Sequence, residues 1–172
     1  MTLKKTLISF LAFGFATSIG SVCNADELTG QKTVGFQTGF NSYNSSAIAG
    51  IEFTYRFNRH LRLAPSVNYV FKHNSTDALA LNLNMHVPFN LTHGWEIYPY
   101  AGLNYSSWNF HDIEAVNDDS DVTSRITRFG LNVGAGVGVN LTPTMKLGVA
   151  ADYVLIKQFD GVSVVAKVAY TF

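Results

Sequence analysis

The sequence is poor in cysteine, in charge and in long apolar runs. Its 172 residues include one cysteine, Cys23, and only 14% of them are charged. A single cysteine cannot build an internal disulfide framework. Basic and acidic residues are balanced, with 12 of each. A chain without excess basic charge lacks the electrostatic footprint of a nucleic-acid-binding protein, so no nucleic-acid partner is expected.

The sequence also lacks a run long enough for a membrane-spanning helix. After the first 25 residues, no segment is continuously apolar over the roughly 18 residues that mark a candidate span. If the chain crosses a membrane, strands must make the crossing.

The front of the chain has the pattern of a secretory signal peptide. Lys4 and Lys5 precede an uncharged, mostly apolar run, and small or polar residues follow as far as Ala25. This pattern predicts a signal peptide over 1–25 and a single mature domain over 26–172. Removal of the signal leaves ten basic against twelve acidic residues.

A lipoprotein signal, with Cys23 as the lipidated residue, is the alternative. The preceding residues, Gly20, Ser21 and Val22, lack the leucine that such signals usually carry.

The last eleven residues alternate between apolar and mixed positions. Every second residue from Val162 to Phe172 is apolar, whereas the intervening positions include Ser163, Lys167 and Thr171. A period of two indicates a strand with one apolar and one polar face.

The same alternation recurs through the mature sequence and predicts eight strands. The predicted strands are 32–40, 47–57, 61–72, 77–89, 95–108, 125–141, 146–157 and 162–172. The connection at 109–124 is long and acidic. Pro65 lies inside the third segment and lacks a backbone donor, so we expect a bulge or a local bend there.

The two faces of these strands favour a barrel in lipid over a soluble β-sandwich. A sandwich would carry many Lys, Glu and Thr residues on its wet face, whereas the polar positions here are mostly Gly, Asn, Ser and Tyr. We therefore predict an all-β fold, an eight-stranded antiparallel up-and-down transmembrane β-barrel. Two aromatic girdles are predicted, one of Phe57, Phe89, Trp95, Tyr170 and Phe172 and one of Phe40, Tyr69, Phe71, Tyr105 and Tyr153.

The strand pattern, the mature length and the ending Val168-Ala169-Tyr170-Thr171-Phe172 resemble the small eight-stranded outer-membrane proteins of the OmpX and OmpA-membrane-domain kind. The resemblance implies a place in the cell outer membrane and contact with outer-membrane lipid and lipopolysaccharide. It also implies that the barrel-assembly machinery reads the last strand, with Tyr170 and Phe172 as the assembly signal. We expect a monomer. The even strand number and the short turns after the second, fourth and sixth strands predict that both termini are periplasmic.

Seven charged residues fall on the polar face and predict an interior ion network. They are Glu52, Arg56, Arg62, Glu96, Arg128, Asp152 and Lys167. Folding the last hairpin about its middle sets Asp152 opposite Lys167 and predicts a salt bridge. Folding the 58–60 turn sets Arg56 opposite Arg62, so we expect Glu96 to reach them across the interior. This network either plugs the barrel or gates a small channel.

Inward tyrosines are expected to pack on glycines of the neighbouring strand. Folding about the long loop sets Tyr98 near Gly136 and Tyr100 near Gly134, where glycine gives the rings room.

The sequence therefore predicts a plugged outer-membrane barrel with a structural or surface-interaction role. The alternatives are a narrow passive pore and a lipid A-modifying enzyme. His73-Asn74-Ser75 has the His-x-Ser spacing of lipid A deacylases, but its flanking residues do not match that family. The acidic residues at 117–121 lack the glycine and the distal glutamate of a calcium loop. We expect no enzymatic activity, no cofactor and no metal.

Overall fold

The computed structural model describes residues 29–111, 123–156 and 160–172. The predicted signal peptide at 1–25, with Cys23, lies outside the described residues, as does most of the predicted loop at 109–124.

The described part of the chain forms eight long antiparallel strands. In chain order they are β1 (Lys32–Asn41), β2 (Ser46–Asn58), β3 (Leu61–His73), β4 (Thr76–His86), β5 (Trp95–His111), β6 (Thr123–Asn140), β7 (Met145–Leu155) and β8 (Gly161–Thr171). Each strand pairs with its neighbour in sequence, and β4 pairs with β5 from Thr76–Phe110 to His86–Tyr100. Within the described ranges, no helix is long and apolar enough to cross a membrane.

The last strand closes the sheet into a barrel. β8 pairs antiparallel with β1 from Thr33–Thr171 to Asn41–Ser163, so both strands gain a second neighbour. This closure and the strand order confirm the predicted eight-stranded up-and-down barrel.

The predicted fourth strand ends too late. We expected it to reach residue 89, but β4 stops at His86 and a two-residue segment, Phe89–Asn90, pairs separately with Ile97 and Glu96 of β5. The break includes Pro88, which has no backbone donor to continue a ladder. The short 3₁₀ turn Thr92–Gly94 then leads into β5.

The strands flanking the long connection run further than predicted. β5 continues to His111 and β6 begins at Thr123, so the connection shortens to 112–122. The extension includes Asn109 and Phe110, which pair with Arg125 and Ser124. Their polar surroundings predicted a loop, but the backbone pairing between β5 and β6 continues through these positions.

A bulge or a local bend is predicted at Pro65; no register shift occurs there, so the bulge is absent, but the pairing with β2 is interrupted opposite Pro65 and Ala64. Pro65 stays in register with Leu83 of β4. Pairing between β2 and β3 is interrupted between Glu52 and Tyr55 and resumes in the same register. Register shifts lie instead between Arg56 and Asn58, beside the tight turn into β3, and between Val70 and His73, beside the turn into β4.

The two faces divide as the alternation predicted. Large apolar side chains point outward and remain exposed on the barrel wall, among them Phe36, Ile51, Val67, Leu103 and Val149. Polar side chains point inward and are buried, among them Gln37, Ser66, Asn84, Asn104 and Asn132. A wall that is apolar outside and polar inside is the arrangement of a barrel in lipid.

The two ends of the barrel carry different connections. The terminal end holds the turns 59–60, 87–94 and 141–144 together with the outer ends of β1 and β8, and the loop end holds the other four connections. Asn74 and Ser75 form a two-residue turn at the loop end, both with positive φ, at 49° and 59°. Two successive residues with positive φ give the type I′ geometry that suits the twist of paired strands.

The predicted aromatic girdles are exposed at the two ends. Phe57, Phe89, Trp95, Tyr170 and Phe172 lie toward the terminal end, and Phe40, Tyr69, Phe71, Tyr105 and Tyr153 toward the loop end. Tyr69 and Phe71 meet edge to face with ring centroids 5.4 Å apart.

Depth in the membrane, more than exposure, is expected to set the cost of a charge on the outer wall. Leu103 in the middle of β5 and Leu141 in a terminal-end turn are similarly exposed, at 57% and 55%. Leu103→Arg should lower the free energy of unfolding in lipid vesicles by about 2–4 kcal/mol, and Leu141→Arg by about 0–1 kcal/mol. Urea titrations of both variants measure the difference. Equal losses would contradict the membrane placement of the wall.

Candidate functional site in the barrel interior

The interior side chains are stacked in layers along the barrel axis, and β5 contributes to each. From the terminal end toward the loop end its inward residues are Glu96, Tyr98, Tyr100, Asn104 and Trp108. At about 3.3 Å per residue, Glu96 and Trp108 lie roughly 40 Å apart along the strand. The inward face of β5 therefore contributes to four layers: an ion layer, a pair of tyrosines, a belt of amides and an apolar cap.

The ion layer is centred on Glu96, which binds two arginines. Arg56 Nη2 lies 3.3 Å from Glu96 Oε2, and Arg62 Nη1 lies 2.9 Å from Glu96 Oε1. Arg56 and Arg62 are paired across the β2–β3 hairpin, and both are buried. The predicted meeting of two arginines with Glu96 is confirmed. Lys146, at the same end, adds a further positive charge that acts on Glu96.

His86 completes the ion layer and was missed by the sequence analysis. Its side chain is fully buried, and its Nδ1 lies 3.3 Å from Arg62 Nη2. Its ring stacks on Tyr98 at a centroid distance of 5.1 Å. The signal was its place on the polar face of the fourth predicted strand, opposite Arg62 in register.

The two inward tyrosines lie over glycines, as predicted. Tyr98 pairs with Gly136 and Tyr100 with Gly134. A Cβ atom added at Gly134 would lie 2.7 Å from Tyr100 Cζ, and one at Gly136 would overlap the Tyr98 ring. The Arg62 guanidinium carbon sits 4.8 Å from the Tyr98 ring centroid, so the tyrosines cover the ion layer.

The predicted salt bridge between Asp152 and Lys167 is wrong. Asp152 pairs with Ser163, and Lys167 pairs with Gly148. The hairpin is centred two residues earlier than assumed, which moves a partner by four residues, or about 13 Å along the strand. The shift is even, so Lys167 still faces inward.

Lys167 instead forms an ion pair with Glu52. Its Nζ lies 2.7 Å from Glu52 Oε2, and both side chains are nearly buried. Glu52 belongs to β2 and Lys167 to β8, with β1 between them. In β1, Gly35 lies opposite Glu52 and Gln37 lies opposite Lys167, so the two charged side chains meet over β1. Asp152 accepts a hydrogen bond from the Tyr100 hydroxyl at 3.3 Å.

Arg128 does not join the predicted network. It lies toward the loop end, opposite Ser106, and its Nη1 donates to the Thr127 carbonyl at 3.2 Å. The other six predicted charges lie in the terminal and central parts of the interior. Glu96 binds Arg56 and Arg62, Glu52 binds Lys167, and Asp152 bonds to Tyr100.

A belt of hydrogen-bonded amides lines the middle of the barrel. Asn82 Oδ1 accepts from Asn104 at 2.6 Å and from Asn132 at 2.9 Å, while Gln37 donates to Asn68. Asn68 and Asn82 both donate to Ser66 Oγ. The belt thus links side chains from β1, β3, β4, β5 and β6. The sequence predicted polar inward positions but not these partners.

An apolar cap closes the interior near the loop end. Its buried members are Ile48, Val70, Ala78, Trp108 and Ile156. Trp108 is covered by Tyr43 from the first loop, edge to face at 5.0 Å. These residues lie on the inward face, where the sequence analysis expected mainly polar and small side chains, so the cap was missed.

The His-x-Ser triplet does not form a catalytic pair in this structure. His73 Nδ1 lies 2.7 Å from the Asn44 carbonyl oxygen, whereas Asn74 and Ser75 form the tight turn. Among residues 29–111, 123–156 and 160–172, no group of three or more His, Cys, Asp or Glu side chains is arranged to hold a metal ion. The acidic residues at 117–121 lie outside the described residues.

The family comparison covers almost the whole chain. Residues 9–172 match the model of the outer membrane protein beta-barrel domain. The chain belongs to this family.

Solved structures show the fold of this barrel family. The N-terminal beta-barrel domain of Pseudomonas aeruginosa OprF superposes with a TM-score of 0.67 at 18% identity, covering 84% of this chain and 98% of that domain. Neisserial surface protein A gives 0.62 at 20% identity, with 83% and 95% covered. Ail of Yersinia pestis gives 0.60 at 13% identity, with 84% and 99% covered. Comparison with curated protein sequences found no match.

Family membership places this barrel in the outer membrane. These three structures are at most 20% identical to this chain, so they show the fold and not the interior side chains. The ion layer, amide belt and apolar cap are therefore described from this chain alone.

Removing the central carboxylate of the ion layer should destabilise the barrel strongly. Glu96→Gln removes the buried carboxylate that binds Arg62 at 2.9 Å and Arg56 at 3.3 Å, and breaking a buried pair in this way costs about 3–5 kcal/mol. Arg128→Gln is the control, because Arg128 is half-buried and its one hydrogen bond within the described residues is to the Thr127 carbonyl. It should change stability by less than about 0.5 kcal/mol. Urea unfolding in micelles measures both. Similar small losses would show that Glu96 does not hold the arginines.

A methyl group should be tolerated at one interior glycine and not at another. Gly136→Ala drives a Cβ into the Tyr98 ring, whereas a Cβ at Gly138 lies 3.3 Å from the flexible Glu96 side chain. Overpacking should cost Gly136→Ala about 1–3 kcal/mol. Gly138→Ala should be near neutral, because the smaller entropy that alanine loses on folding offsets the close contact with the Glu96 side chain. Thermal unfolding of the pair measures the difference, and equal effects would argue against tyrosine packing.

Proposed function

We propose that this outer-membrane barrel is plugged and serves a structural or surface-interaction role. The observation that carries the proposal is the succession of filled layers inside it. The ion layer and the two tyrosines fill the interior toward the terminal end, and the apolar cap around Trp108 fills it toward the loop end. Eight strands enclose an interior just wide enough for side chains, which supports the absence of a through-channel.

The proposal places both termini in the periplasm and the loop end outside the cell. The terminal-end turns are short, and the connection at 112–122 is at the opposite end. Short periplasmic turns and longer outer loops are the usual arrangement of such barrels. The acidic residues of this connection, Asp112, Glu114, Asp118, Asp119 and Asp121, would then face the exterior as the surface available for contact.

The last strand is the proposed contact for barrel assembly. Tyr170 and Phe172 are 55% and 64% exposed on the outer wall. Both side chains are therefore accessible at the end of β8, the strand that closes the barrel. Outer-membrane lipid and lipopolysaccharide are the proposed surroundings of the apolar wall, and the barrel is proposed to be a monomer.

A surface-interaction role also fits the printed name of one neighbour. Ail is described as the attachment invasion locus protein of Yersinia pestis. At 13% identity this likeness supports the scaffold on which exposed loops are displayed, and the loops of this chain are its own. No catalytic step is proposed, because His73 contacts the Asn44 backbone instead of Ser75.

A narrow passive pore is the second candidate function. A cavity of about 60 Å³ lies between the tyrosines and the apolar cap, lined by polar side chains such as Asn68, Asn82 and Asn104. Opening it to both sides would require both plugs to move.

Recording from purified protein in a planar bilayer tests the plugged barrel. We expect no steady current, because both ends of the interior are filled. Trp108→Ala with Tyr98→Ala removes one large side chain from each plug, and this variant is the comparison that should show a higher conductance than the unaltered protein. Steady ohmic steps from the unaltered protein would overturn the plugged barrel in favour of the pore.

A further inference from the structure

The cavity in the middle of the barrel has an excess of acceptor atoms. The polar residues that face it include Gln37, Glu52, Asn104, Asp152 and Lys167. Two of these residues carry carboxylates and one carries an ammonium group. What the cavity holds must therefore match an oxygen-rich lining.

Two amide oxygens that face this cavity are buried without a partner. Gln37 Oε1 and Asn104 Oδ1 accept no hydrogen bond within the described chain, and each residue is only 4% exposed. Asn132 Oδ1, at the adjoining end of the amide belt, is likewise unpartnered. Burying a polar atom without a partner costs free energy, so these oxygens favour a hydrogen-bond donor or a cation in the cavity.

The belt fixes the direction in which these amides point. The nitrogen of Asn104 donates to Asn82 and the nitrogen of Gln37 donates to Asn68. Turning either amide over would replace a donor with an oxygen that faces another oxygen. The unpartnered atoms are therefore oxygens, which bind cations or hydrogen donors.

The carboxylate of Asp152 is the second part of the site. Its only hydrogen bond within the described chain comes from the neutral Tyr100 hydroxyl, and the nearby Lys167 ammonium is bound to Glu52 at 2.7 Å. The arginines of the ion layer do not line the cavity. The lining therefore carries one more negative than positive charge.

We propose that the cavity binds a monovalent cation between Asp152 and the amide oxygens of Gln37 and Asn104. Hard cations are held by carboxylate, amide and carbonyl oxygens together with water. A cavity of about 60 Å³ has room for one small ion with one or a few waters. A single positive charge matches the single excess carboxylate. The site depends on this cavity and not on whether the barrel conducts.

Sodium-dependent stability tests the site. The intact barrel is refolded in micelles in sodium chloride, with choline chloride replacing sodium at constant ionic strength, because choline is too large for the cavity. A ligand that binds only the folded state raises its stability by mass action. At sodium concentrations above the dissociation constant of the site, each tenfold rise in sodium should multiply the folding equilibrium constant by up to tenfold. Equal stability in the two salts would mean that water alone fills the cavity, and would overturn the proposal.

Variants locate the ion. Asp152→Asn removes the charge and Gln37→Met removes an amide oxygen at similar size, so each should abolish the sodium dependence. Asp160→Asn is the matched control, because Asp160 is exposed outside the cavity and should keep the full dependence. Gln37→Met still tests the sodium dependence if Asp152→Asn does not fold. Sodium dependence that survives in Gln37→Met would place the ion elsewhere and contradict this site.

Discussion

Every strand of a protein that crosses hydrocarbon must pair its backbone on both edges, because lipid offers no hydrogen bonds. The pairing of β8 with β1 meets that requirement, and the other features depend on it. A sheet of eight strands closes on a narrow interior. The side chains inside must therefore fill a fixed volume, and their polar atoms must find partners among themselves.

The interior meets this requirement in different ways along its length. At the terminal end, a single carboxylate is shared by two arginines that the β2–β3 hairpin holds side by side. In the middle, amides bond to one another. Near the loop end, Trp108 and its apolar neighbours need no partners. The unpartnered oxygens of Gln37 and Asn104 in the middle face a small cavity that Asp152 also lines, which is why a ligand is inferred there.

The fold was predictable from sequence because lipid imposes a simple rule on each strand. Alternation identified all eight strands, and the Glu96 cluster and the tyrosine–glycine pairs followed from folding hairpins about short or symmetric turns. The predicted partner of Lys167 is wrong, because the last hairpin is centred two residues earlier than expected and Asp152 lies opposite Ser163. Contacts that skip a strand, such as Asn132 with Asn82 and Gln37 with Asn68, were not predicted, because alternation gives the face of a residue but not which distant strand its side chain reaches. The contact of His86 with Arg62 lies between neighbouring strands and could have been predicted from their register.

The ion pair of Glu52 and Lys167 has a consequence for the order of folding. Its two members are 115 residues apart in sequence and lie on the strands flanking β1, across the seam where the barrel closes. Bringing such distant residues together costs loop entropy that only the completed barrel repays. The pair therefore forms when the two ends of the sheet meet. Once formed, the ion pair links β2 to β8 and so opposes separation of β1 from β8.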